Sequence, residues 1–345
     1  MVRVGLVGGS GYTGGEMLRL LLQHPEFDLA FATSSRFERK PFAVAHPNLR
    51  GLTTEKFRAH DDLEHVDCLV LALPHGESQR RLDEFLQIAP VVVDLASDFR
   101  LSSPALYEQF YGENHSCSDQ LGSFVYGMPE LYREELKNAD RIAGCGCIAT
   151  CSILSLAPLF RFGAVRSRQA FIDAKVGSSA GGATGNPSSH HPERAGCLRS
   201  FKLTAHRHTA ELIEQLNPGD CEVFLSATAV DSVRGILITG QVMVDPALTE
   251  LEIRQMYREM YQGEPFVRIV KERSGIYRYP EPKILSGTNF VDIGFERDPS
   301  NGRLVVVGAI DNLVKGSAGH ALHSMNIRFG FPERLGLEFA GLHPC

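Results

Sequence analysis

Through the first hundred positions apolar residues fall in short, nearly continuous blocks separated by polar, charged or glycine-rich stretches, as expected of strands buried on both faces of a sheet. VRVGLV (2–7) is the first block. GGSG follows, and then Met17, Leu18, Leu20, Leu21 and Leu22 recur at helical spacing until Pro25. A second block over 28–33 closes a strand–helix–strand unit. CLVLALPHG (68–76) and VVVDLASDF (91–99) read as further buried strands, with the charged ESQRRLDEFLQ between them as a helix. Strands alternating with helices predict a parallel sheet.

The texture changes after residue 160. FIDAKV (171–176), CEVFLSATAV (221–230), GILITGQVMV (235–244) and RLVVVGAI (303–310) are long strand-like runs with few helices between them, which predicts an antiparallel sheet. One helix is expected from about Leu251 to Tyr261. KGSAGHALHSMNIRFGF (315–331) reads as a closing helix that packs back on the first half. Where the two textures meet lies AGCGCIATCSILSLAPLF (143–160), an apolar run whose helix is expected to begin at Ile148. The small residues of GSSAGGATGNPSS (177–189) suit either a close approach to substrate or a mobile surface loop.

At 345 residues the chain exceeds what one hydrophobic core usually supports, so two domains are expected. No stretch of about 18 apolar residues free of charge occurs, which excludes a predicted membrane helix. The N-terminus lacks the apolar core and cleavage site of a signal peptide, so a cytoplasmic protein is expected, one whose 8 cysteines are too dilute for a disulfide scaffold. A net charge of −6 argues against nucleic acid or anionic lipid as the main partner. The segment 190–210 is the exception: Arg194, Arg199, Lys202 and Arg207 face only Glu193, with His190, His191, His206 and His208 among them. It is either a local anion site or a solvated basic face.

Gly9, Gly11 and Gly14 satisfy G-x-G-x-x-G directly after a predicted strand and at the mouth of a predicted helix, where backbone N–H groups and the helix dipole hold a pyrophosphate. The second strand ends in Thr33-Ser34-Ser35-Arg36 rather than in an acidic residue, and Arg36 can pair with a 2′-phosphate, so NADP(H) is the expected cofactor; Glu38 lies close by. Cys145, Cys147 and Cys151 are spaced C-x-C-x3-C, wrong for a zinc site, and no metal is expected. Cys145 and Cys151 read as small core residues. Cys147, beside the first turn of a helix, is placed to have its thiol pKa lowered from about 8.5 and to act as a nucleophile. A nucleophilic cysteine with a nicotinamide cofactor implies reduction of a thioester to an aldehyde, which needs a proton donor. HRHTAE offers His206 and His208 on nearly equal terms.

Taken together, GSGYTGGE, ALPHG, VDLASDFRL, VYGMPELYR, GCGCIAT, HRHTAE and DNLVKGSAGHA resemble the N-acetyl-gamma-glutamyl-phosphate reductase family along essentially the whole chain. The resemblance implies an α/β protein: an N-terminal Rossmann domain joined to an α+β domain of the glyceraldehyde-3-phosphate dehydrogenase C-terminal type, assembled as a homotetramer. On it, residues 1–146 with 313–345 form the NADP-binding domain, and 147–312 the catalytic and oligomerisation domain. Cys147 falls on the family's catalytic cysteine and His206 on its general acid/base. Ser10, Gly11, Tyr12 and Thr13, with Ser34, Ser35 and Arg36, match NADP contacts, and Asn312 matches a residue near the nicotinamide. Arg100, Arg207 and His208 are candidates for substrate phosphate or carboxylate, with a structural ion pair as the alternative for the two arginines.

The family has two branches. Arginine-pathway enzymes commonly carry Pro-Gly-Cys-Tyr at the nucleophile, where this chain has Cys145-Gly146-Cys147-Ile148. SHHPERAG, HRHTAE and GLEFAGLHP look more like the reductases of the aminoadipate route to lysine, although that branch carries Asn where this chain has Ile148. In that branch a small acidic carrier protein masks the substrate's amino group, and the basic 190–210 segment would be its landing surface. The expected reaction is NADPH-dependent reduction of carrier-linked aminoadipate 6-phosphate, with the acetylglutamyl phosphate of arginine synthesis as the alternative, or both.

Overall fold

The computed structural model describes every residue except Pro218, Lys271 and Cys345. The chain divides into two compact units, each with its own sheet.

The first unit spans Met1–Cys145 and Ser317–Glu338. Its strands β1 (Val2–Val7), β2 (Phe27–Ala32), β3 (Cys68–Leu71), β4 (Val91–Asp94), β5 (Val125–Tyr126) and β6 (Arg141–Ala143) form a wholly parallel sheet in the order β2-β1-β3-β4-β6-β5. Every residue of β3 and β4 is buried, which explains their unbroken apolar sequences. From β1 the chain builds outward to the edge strand β2 and then returns to the other side of β1 at β3. That reversal opens a crevice at the C-terminal ends of β1 and β3, where such sheets take ligands. The helix Tyr12–Leu21 buries Met17, Leu18, Leu20 and Leu21. The stretch read as one helix between β3 and β4 is two short ones, Glu77–Arg80 and Leu82–Ile88.

The closing segment is a π-helical turn, Val314–Ala318, followed by the helix Gly319–Arg328. This helix belongs to the first unit, where Asn326 lies 3.0 Å from His24, His320 lies 3.0 Å from Glu130, and Arg328 donates to the Ala139 carbonyl. Three boundaries differ from those expected. The first unit ends at Cys145 rather than at 146. The first unit resumes at Ser317 rather than at 313. The tail from Phe339 belongs to the second unit, because Gly341 packs against the Ile284 carbonyl and Thr288, and Phe339 against Gly287. Cys345, the last residue of the expected 313–345 segment, lies outside the described residues.

The second unit carries β7 (Gln169–Val176), β8 (Leu198–Lys202), β9 (Glu222–Val230), β10 (Ile236–Met243), β11 (Val267–Ile269), β12 (Val291–Arg297) and β13 (Arg303–Ile310), in the order β11-β12-β13-β10-β7-β9-β8. The sheet is mixed, not antiparallel. β7 runs parallel to β9 and β11 to β12, while the remaining pairs are antiparallel. Each parallel pair is joined by a long connection, which a parallel pair requires. The connection from β7 to β9 contains β8, which lies in the basic segment and which the hydropathy pattern does not reveal, since all five of its residues are exposed.

One face of this sheet is covered by the helix Cys147–Arg161, in which Ile148 through Leu159 are all buried. Pro158 sits inside it and removes the N–H that would have bonded to the Leu154 carbonyl. The hydroxyl of Tyr261 donates to that carbonyl at 2.6 Å, and Tyr257 donates to the Ser155 carbonyl at 2.6 Å. Both tyrosines belong to the capped helix Glu250–Tyr261, so the proline's cost is met by a neighbouring element. On the opposite face, Phe171 and Phe224 stack 5.3 Å apart and are exposed. Among the described residues, no helix is long and apolar enough to cross a membrane.

Candidate active site

The glycine turn of the first unit is open. Gly11 is the N-cap of the Tyr12 helix, no side chain caps it, and a β-carbon added to Gly11 would meet nothing within 4 Å. The first-turn N–H groups are therefore available to an anion. A β-carbon on Gly14 would instead lie 2.5 Å from the Gly8 carbonyl oxygen, so glycine there permits the close crossing of helix and strand. The end of β2 is tied to this turn. Thr33 Oγ1 accepts from the Gly8 N–H at 3.3 Å, and the Ser34 hydroxyl donates to Ser10 Oγ at 2.8 Å. Ser35 and Arg36 are exposed beside it, with the Arg36 guanidinium 5.2 Å from the Phe37 ring centroid. Glu38 is paired with Arg39 at 3.3 Å. Tyr12 is exposed and Thr13 half-buried at the helix mouth. His46, to which the sequence reading assigned nothing, is buried beneath the turn, 2.7 Å from the Gly9 carbonyl oxygen; burial holds its pKa below the usual histidine value.

The ALPHG and VDLASDF motifs meet at the C-terminal ends of β3 and β4. His75 Nδ1 lies 2.7 Å from Asp98, which also accepts the N–H groups of Gly76 and Gln79. Burial pushes Asp98 up, but His75 and those two N–H groups outweigh it and leave the carboxyl below its ordinary pKa. Asp94 goes the other way: burial first, then the neighbouring Asp98, push it up to about 7. Ser78 donates to its Oδ1 at 2.7 Å. Arg100 spends two N–H groups on backbone, giving Nε–H to the Gly144 carbonyl at 2.8 Å and another to the Leu95 carbonyl at 3.3 Å. No periodicity marks this network, because most of its partners come from different elements, from 16 to 44 residues apart.

In the second unit, the helix expected from Ile148 begins one residue earlier, at Cys147, because Gly146 has the extended N-cap conformation (φ −68°, ψ 136°) and no side-chain cap. Cys147 is half-buried at the first helical position, with Gly316 packed under its β-carbon. Cys145 belongs to the first unit, where its thiol donates to the Gly127 carbonyl at 3.3 Å. Cys151 is buried, which pushes its thiol pKa well up. Among the described residues every cysteine is free, and no group of three or more His, Cys, Asp or Glu is placed to hold a metal ion.

Two residues of HRHTAE, Glu211 and His208, close on the start of the Cys147 helix, and His206 is joined to them through His208. Glu211, fully buried, accepts the Gly146 N–H at 2.8 Å, and its other oxygen lies 3.9 Å from His208 Nε2. A β-carbon on Gly146 would collide with Glu211 and come within 2.6 Å of His208 Nε2. The His208 backbone N–H donates to His206 Nδ1 at 3.1 Å, and the two rings meet edge to face with centroids 4.7 Å apart. His206 is lowered to about 4, by burial first and then by Arg207 and Lys202. The residue before it, Ala205, has φ +52°, a left-handed conformation uncommon outside glycine.

Arg207 is exposed at the start of the His208 helix. Asn312 is buried and accepts the Gly235 N–H at 2.8 Å while donating to Ser179 Oγ at 2.9 Å, which anchors the beginning of the small-residue loop. The structure thus brings the Cys147 turn against His208 directly, and links His206 to it through His208. Glu211 lies inside a motif quoted from the sequence, yet only the fold reveals its partner, 65 residues away. Asp311, also without an assigned role, is buried beside Asn312, is ion-paired with Arg234 at 2.9 Å, and accepts the N–H groups of Gly287, Leu313 and Val314.

A parallel nucleotide-binding sheet with an open glycine turn, followed by a mixed-sheet unit with a cysteine at a helix start, defines a two-domain dehydrogenase. Residues 3–139 match the semialdehyde dehydrogenase NAD binding domain, and residues 147–312 the semialdehyde dehydrogenase dimerisation domain. The chain belongs to the semialdehyde dehydrogenase family and is an enzyme of that class.

Within the family, it is 52% identical to LysW-L-2-aminoadipate 6-phosphate reductase of Deinococcus radiodurans, over 99% of this chain and 98% of that one. It is 43% identical to LysW-L-2-aminoadipate/LysW-L-glutamate phosphate reductase of Saccharolobus solfataricus, over 100% and 99%. The resemblance to acyl-phosphate reductases read from the motifs, and its leaning toward the lysine branch, are borne out. Aspartate semialdehyde dehydrogenase II of Vibrio cholerae shares the fold, with a TM-score of 0.70 at 15% identity over 96% of this chain and 99% of that one. The enzyme from Candida albicans, solved with NADP, gives 0.70 at 14% identity over 95% and 98%. The expected α/β class, with a Rossmann-like domain and a second mixed domain, is likewise borne out.

Proposed function

We propose that the enzyme reduces the acyl phosphate of carrier-protein-linked L-2-aminoadipate to the semialdehyde, with NADPH as reductant, in the cytoplasmic synthesis of lysine. The observation that carries this reading is the full-length 52% identity to the Deinococcus radiodurans reductase. Residues 9–14 with Ser34 and Ser35 would hold the dinucleotide, with Arg36 toward its 2′-phosphate, and the bound cofactor would supply a hydride. Three features support the fit: the uncapped helix mouth, the open space at Gly11, and the engagement of Glu38 with Arg39, which leaves Arg36 to meet a phosphate.

Cys147 performs the covalent chemistry. Its thiolate, favoured by the positive end of its helix, attacks the acyl carbonyl; the bond to phosphate breaks and inorganic phosphate leaves with its electron pair, giving a thioester. Hydride addition to the thioester carbon gives a hemithioacetal, which expels the thiolate and releases the aldehyde. First-turn N–H groups of the helix offer hydrogen bonds to the oxygen that gains charge. His206 is the acid/base partner at this oxygen. Because Nδ1 accepts the His208 N–H, the neutral ring carries its hydrogen on Nε2 and presents it as a donor. The second histidine, His208, is a holder of the site rather than a substrate ligand, and Arg100 and Asn312 are positioning residues, since their N–H groups are given to protein acceptors.

The exposed β8 strand serves the acidic carrier. Arg194 turns inward to the Val176 and Val230 carbonyls, and Arg199 leans on Glu193 at 3.8 Å. Lys202 and Arg207, exposed on either side of His206, are the cations that meet anionic substrate or carrier groups. The exposed Phe171–Phe224 stack on the open face of the second sheet supports assembly of copies through this face, one interface of the homotetramer that the motif resemblance implies.

The test is the reverse reaction: phosphate-dependent reduction of NADP⁺ with carrier-linked aminoadipate semialdehyde, compared with N-acetylglutamate semialdehyde. We expect kcat/KM for the carrier-linked substrate to be at least about tenfold higher, a difference of about 1.4 kcal/mol in transition-state binding. The opposite ranking would assign the enzyme to arginine synthesis. Comparable rates with carrier-linked glutamate semialdehyde would give it the dual use named for the Saccharolobus solfataricus relative.

A further inference from the structure

We propose that Glu211 is a positioning residue for the chemistry at Cys147, locking the first turn of the Cys147 helix and the His206–His208 loop into one arrangement. The inference rests on the reading that Cys147 is the nucleophile. Glu211 lies in the first turn of the helix His208–Leu216 and is wholly inaccessible to solvent. Its Oε2 takes the N–H of Gly146, the residue that precedes Cys147, and its Oε1 faces the ring of His208 at 3.9 Å. His208 in turn fixes His206 by donating its backbone N–H to Nδ1. One carboxylate therefore touches the chain immediately before the proposed nucleophile and the ring next to the proposed proton donor.

A buried carboxylate is an expensive way to pack two helices, because it must be desolvated and then paired. The neighbouring Ala210 and Leu212 are as deeply buried with apolar side chains, which carry no such cost. What the carboxylate adds is direction. It accepts the N–H of the N-cap residue itself and leaves the N–H groups of the helix's first turn, which no side chain caps, for an oxygen developing charge. The lack of room for any side chain on Gly146 fits the same purpose, since the turn is held from both sides.

The experiment uses the intact enzyme and four variants: Glu211→Ala, Glu211→Gln, Glu211→Asp and Cys147→Ser. Reverse-reaction kinetics are measured with the rate of iodoacetamide labelling at Cys147, mapped by mass spectrometry, and with the NADP⁺ dissociation constant. Gln keeps an acceptor at the same reach, Asp withdraws it by one methylene, and Ala removes it. The expected result is a kcat lowered about ten- to a hundredfold in the Asp and Ala variants, with labelling slowed in step, KM and NADP⁺ affinity within about twofold, and most activity restored in the Gln variant. Should the Ala variant fail to fold, the Asp and Gln variants carry the comparison. Wild-type kcat in the Asp variant, or a Gln variant more impaired than Asp, would overturn the proposal, since charge and not the placed acceptor would then matter. The Cys147→Ser control separates the two readings: turnover surviving in it sinks the thioester route and this proposal together, whereas an inactive Ser variant beside a fully active Asp variant sinks only the role of Glu211.

Discussion

Twice in the chain a strand of the first sheet runs through glycine into an uncapped helix start, at Gly11 in the first unit and at Gly146 in the second, and the two are built for opposite purposes. Above Gly11 there is open space. At Gly146 the same atom would strike Glu211 and His208. A helix mouth left open suits a ligand large enough to span several N–H groups, such as a pyrophosphate. A mouth held from one side by a carboxylate and an imidazole has no room for such a ligand, and offers the first side chain, Cys147, with the N–H groups of the first turn beside it. The lesson is that a glycine before a helix does not by itself define a site; what stands over it decides how large a ligand the helix mouth can take.

The sharpest way to break the comparison is to add a methyl group at each glycine. Gly146→Ala should cost about 1–3 kcal/mol of stability from overpacking and lose most turnover. Gly11→Ala has backbone angles any residue adopts (φ −76°), so stability should change by less than about 0.5 kcal/mol while NADPH binding weakens. Denaturant melts and cofactor titration check both, and equal stability losses would erase the distinction.

A smaller effect is expected at the edge of the open site. Arg36→Ala should raise the NADPH dissociation constant about tenfold, the worth of one charge-assisted contact, and leave NADH binding unchanged. Fluorescence titration with both cofactors decides it, and parallel losses would remove Arg36 from the 2′-phosphate.

The smallest effect concerns the first unit's own closed corner. Asp94 ionises near 3.8 in an unfolded chain but holds its proton to about 7 when folded. Between those values the folded state binds more protons, so this group makes the protein less stable as pH rises through that window. Asp94→Asn keeps an acceptor for Ser78 and cannot ionise. It should therefore gain about 1 kcal/mol or more over the parent at pH 8 relative to pH 5, measured by denaturant melts at both values. A pH-independent difference would show that Asp94 does not titrate there.

The sequence by itself determined what is local or periodic. The parallel first sheet, the glycine turn at 8–14, the placement of a cysteine at a helix start and the closing helix after Ser317 are all legible, because each depends on spacing within a few residues or on buried apolar runs. The motif resemblance was specific for the same reason, being carried by contiguous peptides such as GCGCIAT and HRHTAE. Only the tertiary structure decided the rest. The strand directions of the second sheet depend on where long connections return, and β8 is an edge strand with no buried face to leave a pattern. The start of the Cys147 helix moved by one residue because Gly146, not Cys147, took the extended cap. The pairing of Glu211 with Gly146, and the opposite pKa displacements of Asp94 and Asp98, come from groups brought together across the chain in surroundings poor in water. Periodicity records which residues are buried; which polar groups are buried together is decided only when the elements pack.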